Sequence, residues 1–156
     1  MSEPRFGFEL PLLLAGSFRL LIEALHAELA EQGHPDARPS TGFALQALGP
    51  GGATISELGR RMGVSKQAAA KAAAGLERLG YIERGRDAED ARSVRLQRSA
   101  RGEELLAASA RIFERLRAEW VAELGADRVR ALEDDLATMI ARAGGVPLGD
   151  LPGWLR

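Results

Sequence analysis

Apolar positions recur at helical spacing through most of the chain. Leu14, Phe18, Leu21, Ile22, Leu25 and Leu29 follow one another at steps of four, three, one, three and four, an apolar stripe along one long helix. That helix is predicted to open near Pro11, whose ring suits a first helical turn, and to end at Gly33-His34-Pro35. Ser40 is predicted to cap a second, shorter helix carrying Phe43, Leu45 and Leu48, which stops at Gly49-Pro50-Gly51-Gly52. Thr54 with Glu57 three residues on has the form of a capping box. The helix it opens runs to Met62 and halts at Gly63, a residue tolerant of positive φ. Ser65 then caps another helix, with Leu76 and Leu79 near its end and Gly80 as its stop.

After Gly80 the period changes. Tyr81-Ile82-Glu83-Arg84 and Val94-Arg95-Leu96-Gln97 read as two short strands joined by a turn, with Val94 and Leu96 toward the core and Arg95 toward solvent. Beyond Ser99 the helical period returns in Leu105, Leu106, Ile112, Phe113, Leu116, Trp120, Val121 and Leu124, up to Gly125. Asp127 is predicted to cap a last helix with Val129, Leu132, Leu136, Met139 and Ile140, closed by Gly144-Gly145. The tail VPLGDLPGWLR has no period, yet Leu148, Leu151, Trp154 and Leu155 predict that it lies on a neighbouring surface. The expected fold class is mainly α with a small β-hairpin. Residues 1–35 form an N-terminal assembly helix, 36–99 a helix-turn-helix with hairpin, and 100–156 the C-terminal helices and tail.

Composition narrows the chemistry. The 156 residues include no cysteine, which excludes disulfides and thiolate chemistry. No apolar run is expected to approach a membrane span, and Glu3 and Glu9 flank the apolar start, unlike a signal peptide. The expectation is a cytoplasmic protein with no membrane partner. His26 and His34 make no tight ligand cluster, so no metal is expected. Gly49–Gly52 lacks the Lys-Ser/Thr of a phosphate loop, and no nucleophile–base or carboxylate pair sits in motif context. Neither an enzyme nor a cofactor is expected.

The net charge of −1 conceals an asymmetry. Residues 54–101 hold eleven Lys/Arg against six Asp/Glu, while the remainder holds ten against sixteen. A basic middle containing a helix-turn-helix points to an anionic partner, double-stranded DNA. The second helix of the pair is sized for the major groove. Its first residues, Ser65, Lys66 and Gln67, are candidates for bases and phosphate, and the helix N-terminus adds partial positive charge. Lys71 lies among alanines, of which 69, 72 and 73 are assigned to close helix packing and only Ala70 to the DNA side. Direct readout is therefore thin, and DNA shape carries part of the preference. Arg84, Arg86, Arg92, Arg95 and Arg98 gather positive charge around the hairpin, suited to phosphate contact.

The stretch GATISELGRRMGVSKQAAAKAAAGLERLGYIERGRDAEDARSVRLQRSARGEELL resembles the DNA-binding core of the MarR family (multiple-antibiotic-resistance regulators), and the flanking helices match that family in number and order. Asp90-Ala91-Arg92 fits the family's Asp-x-Arg at the wing. Where the family has Leu-Thr-x-x-Gly, this chain has Arg98-Ser99-Ala100-Arg101-Gly102, keeping a hydroxyl and the glycine. The resemblance implies a homodimer with interlocked terminal helices on a pseudo-palindromic operator, acting as a repressor. It also implies that Arg92 enters the minor groove with Asp90 holding it. Many relatives respond to a small aromatic or anionic effector, for which Phe18, His26, Phe43 and Trp120 are the pocket candidates here, each also a plain core or surface residue by its spacing. A winged helix that binds protein in place of DNA is the alternative reading.

Overall fold

The computed structural model describes residues 6–86 and 94–144; the turn bearing Asp90 and Arg92, Gly145 and the tail lie outside the described residues. Six helices and one hairpin follow in the order expected: α1 (Glu9–Glu31), α2 (Pro39–Leu48), α3 (Ile55–Met62), α4 (Lys66–Arg78), β1 (Ile82–Arg86), β2 (Val94–Arg98), α5 (Ala100–Leu124) and α6 (Ala126–Arg142).

Helix ends follow local capping chemistry. The Thr54 hydroxyl accepts from the Glu57 amide while the Glu57 carboxylate accepts from the Thr54 amide, so both box bonds form. Gly63 ends α3 at φ +66°. Ser65 and Ser99 cap α4 and α5 through the amides of Ala68 and Gly102. Two expected caps are corrected. Pro39 occupies the first turn of α2, which moves the cap back from Ser40 to Arg38. Gly125 occupies the cap of α6, leaving Asp127 in the first turn, where its charge favours the helix dipole.

One core runs through all three segments of the chain. Ile22, Leu25 and Leu29 of α1 join Leu45 and Leu48 of α2, Leu58 of α3, Leu76 of α4, Leu96 of β2, and Leu105, Ile112 and Leu116 of α5. Helices α3 and α4 approach closely because Gly59 and Ala69 meet: a Cβ at Gly59 would lie 3.5 Å from the Ala69 Cβ and 3.1 Å from the Val64 carbonyl oxygen. Ala69 and Ala73 are fully buried, as expected, while Ala72 and Ala70 are half-buried.

The strands pair antiparallel with Ile82 opposite Arg98, Arg84 opposite Leu96 and Arg86 opposite Val94. Ala53 adds a bridge, exchanging backbone bonds of 2.8 and 3.0 Å with Leu96. Leu96 is buried as expected, but Val94 is 46% exposed. Both side chains share one strand face; the outer end of the hairpin extends beyond the helices, so position 94 has no core beneath it.

Helix α1 corrects one expectation. Its 23 residues are long and apolar enough to cross a membrane by length and composition, because small residues extend the leucine run between Arg19 and Glu9. Its second half is nevertheless built into the protein core through Ile22, Leu25 and Leu29. The first half leaves Leu10, Leu12 and Leu13 exposed.

Candidate nucleic-acid interface and adjoining cavity

Helix α4 begins at the turn Gly63–Ser65 and presents Lys66, Gln67 and Lys71 to solvent. None of the three has a hydrogen-bond or ion-pair partner among the described residues. Lys66 and Gln67 stand where the free amides of the first turn give a helix its partial positive charge. Arg60, Arg78 and Arg86 are exposed and likewise without a partner among the described residues. Arg60 and Arg78 were not singled out by sequence; lying one turn from Gly63 and Gly80, they carry no motif signal beyond their charge.

The other described hairpin arginines, Arg84, Arg95 and Arg98, are engaged within the protein. Arg84 donates to Glu77 at 2.7 Å, tying β1 to α4. Arg95 was expected to point to solvent, but it donates to the Gly51 carbonyl at 2.9 Å and the Gly52 carbonyl at 3.3 Å, with the Glu57 carboxylate 3.7 Å away. The Thr54 backbone and the charges of Arg95 and Arg61 hold the Glu57 carboxyl below the usual range, so it is ionised to receive them. Arg61 binds the same turn from the other side, donating to the carbonyls of Ala47 and Leu48 at 3.1 and 2.8 Å. Arg98 donates to the Leu45 carbonyl at 2.8 Å. Carbonyls left free at the end of α2 explain the demand for these donors. Sequence charge alone does not separate such fastening arginines from free ones.

Behind the helix-turn-helix, α1, α2 and α5 enclose a cavity of about 240 Å³. It brings together Phe18, His26 and Phe43, three of the four pocket candidates, with Phe113 and Leu106 from α5. Trp120 lies elsewhere, in a groove it shares with Phe18 between α1, α5 and α6. Both ring nitrogens of His26 are buried without a hydrogen-bond partner, and burial lowers its pKa, so the ring is neutral at pH 7. Arg38 is the one cation on the cavity lining.

The class defined by this geometry is a winged helix: a helix-turn-helix followed by an antiparallel hairpin, flanked by long helices. Residues 41–93 match the MarR family model. Solved structures agree on the fold over most of the chain. YusO from Bacillus subtilis is 21% identical with a TM-score of 0.64, covering 84% of this chain and 92% of its own. FabT from Streptococcus pneumoniae, solved in complex with DNA, is 17% identical with a TM-score of 0.71, covering 87% and 96%. A MepR–DNA complex from S. aureus is 19% identical with a TM-score of 0.65, covering 88% and 99%. No curated protein matches the chain by sequence.

Proposed function

We propose that this chain is a sequence-specific, double-stranded-DNA-binding transcription regulator that works in the cytoplasm as a homodimer on a pseudo-palindromic operator, as a ligand-responsive repressor. The observation that carries the reading is the row of unpartnered groups at the start of α4: Lys66, Gln67 and Lys71 face solvent beside a hairpin that Arg84 and Arg95 fasten to the body. Two relatives of this fold were solved with DNA. Gln67 suits adenine and Lys66 guanine or phosphate, with Ser65 and Ala70 beside them. Arg86 and Arg92 supply phosphate or minor-groove charge, and Asp90 braces Arg92. Arg84 and Arg95 act mainly by positioning the hairpin. In a two-fold dimer the half-site centres stand roughly 10 base pairs apart.

The effector reading rests on the cavity behind the winged helix. It lies between a terminal helix and α2, so an occupant bears on the angle between dimer and DNA-binding parts. A small aromatic molecule fits its Phe18 and Phe43 walls, His26 supplies an unmet polar group, and Arg38 favours an anionic substituent.

A gel-shift titration against promoter DNA at several salt concentrations tests the reading. Binding that weakens steeply with salt supports it; no binding even at low salt refutes it in favour of a winged helix that binds protein. Repeating the titration with small aromatic acids tests the effector.

A further inference from the structure

We infer that Lys66 and Lys71 are acylation sites, through which an activated acyl donor (an acyl phosphate or an acyl thioester) switches off the DNA-binding face of α4. The inference rests on the proposed DNA-binding reading and adds a covalent control to it. Lys66 and Lys71 are the only lysines in the chain; its other nineteen cations are arginines. Both lysines stand on α4, exposed and without a hydrogen-bond or ion-pair partner among the described residues. A guanidinium stays protonated in proteins and offers no free base, whereas a lysine amine yields one and is the usual target of acylation. Every side-chain amine open to an acyl donor therefore lies on the one helix proposed to read DNA.

The surroundings of Lys71 suit the reaction. A groove of about 610 Å³ opens beside it, between α4 and the start of α2. Its rim carries Asp36, Arg38 and Ser40, and its floor is Ala72, Leu76 and Leu79. The Arg38 side chain is exposed there, and a guanidinium favours the anionic leaving half of a donor. In the step itself the neutral lysine nitrogen attacks the acyl carbonyl carbon and forms an amide C–N bond. The bond from that carbon to the phosphate oxygen or thioester sulfur breaks. Its electron pair leaves with phosphate or thiolate, and the amine proton passes to water. A neutral amide then stands where a cation stood. At Lys71 the acyl group meets the apolar floor, while Ala69 and Ala73, which pack α4 onto the body, are untouched.

Acetyl phosphate and acetyl-CoA, applied to the full chain in parallel arms, test this and distinguish the two sources. Trypsin does not cut after an acylated lysine, so doubly modified protein is expected to yield residues 62–78 as one peptide. Each acylation removes one phosphate-binding cation and is expected to lower the slope of log affinity against log salt by about one. With both sites filled, affinity for promoter DNA is expected to fall at least about tenfold at moderate salt, with the melting temperature unchanged. Modification of both lysines in either arm, with that fall, supports the inference. Either lysine left unmodified in both arms overturns it. So does full modification with unchanged affinity, or a parallel fall in melting temperature.

Two controls keep the outcomes apart. Lys66→Arg combined with Lys71→Arg retains both charges and the N-terminal amine but no side-chain amine. Whatever the starting affinity of that variant, the same treatment is expected to leave it unmoved. An equal fall there traces the loss to another group and overturns the inference. Bound promoter DNA is expected to slow acylation of both lysines several-fold, and equal rates in the free and bound chain likewise overturn it. Binding by the untreated chain is read first. Its absence refutes the DNA-binding reading and the switch with it, whereas binding that survives acylation refutes the switch alone.

Discussion

The Tyr81 hydroxyl and Nδ1 of His34 share a hydrogen bond of 3.2 Å across 47 positions of the chain. Both side chains are buried. The Arg101 guanidinium stacks 4.9 Å from the centre of the Tyr81 ring and donates to the Gly33 carbonyl at 2.9 Å. The end of α1, the root of the wing and the first turn of α5 are thereby locked at one point. Tyr81→Phe removes one partner and leaves the other buried and unmet. The expected cost is about 1–2 kcal/mol in urea unfolding, with DNA affinity at low salt nearly unchanged.

The same joint makes stability depend on pH. Burial lowers the His34 pKa, the Arg101 charge lowers it further, and Glu104 opposes them; burial also lowers that of His26. The unfolded chain therefore binds protons first as pH falls. Stability is full above the unfolded value of about 6.5 and declines as pH drops from there toward the folded values. Urea midpoints are expected to fall between pH 7 and pH 5. His34→Gln should flatten part of that slope and His26→Gln another part; a slope unchanged in both variants contradicts the assignment.

Gly102 is held by space. A Cβ there would lie 2.2 Å from the Tyr81 carbonyl oxygen, a backbone atom that cannot give way cheaply. Gly102→Ala is expected to destabilise by about 1–3 kcal/mol, the range for overpacked sites. Gly125→Ala has nothing within 4 Å of the new Cβ, so its cost is confined to backbone strain at φ +90°. Thermal melts of the two variants distinguish crowding from strain.

Much of this was legible in the sequence because its causes are local. Thr54, Glu57 and Ser65 cap what their spacing predicted, and the change of period at Tyr81 marks the hairpin. The alanines of α4 were also legible, since only a small side chain suits a helix that meets Gly59. What stayed hidden depends on contacts across the chain. Nothing near Arg95 in sequence says that its guanidinium ends on Gly51, 44 positions earlier. Val94 alternates correctly with Leu96, yet the reach of the core is a tertiary fact. Trp120 shares the period of α5 with Phe113, but seven residues along a helix carry it past the cavity into the next groove.

Fastened and free cations predict different phenotypes. Lys66→Ala and Lys71→Ala should leave the melting temperature within experimental scatter. Each is expected to lower the slope of log affinity against log salt by about one. Arg95→Ala should lower the melting temperature, because the Gly51–Gly52 turn loses its donors. Arg92→Ala is expected to weaken operator binding several-fold with stability and assembly intact. Equal melting temperatures for Arg95→Ala and Lys66→Ala would contradict the division.

Assembly is testable at positions where the isolated chain has nothing to lose. Leu12 and Leu20 are 65% and 68% exposed on α1, so a charged side chain there meets water in a monomer. If α1 pairs two copies, the same charge is carried into an apolar interface, where an unpaired carboxylate is strongly disfavoured. Leu12→Glu and Leu20→Glu are therefore expected to shift the protein from dimer to monomer in sedimentation velocity at micromolar concentration, with an unchanged circular dichroism spectrum. Operator affinity should fall by at least tenfold, because each half-site is then bound by an unlinked winged helix. A dimer that persists in both variants would move the interface off this face of α1.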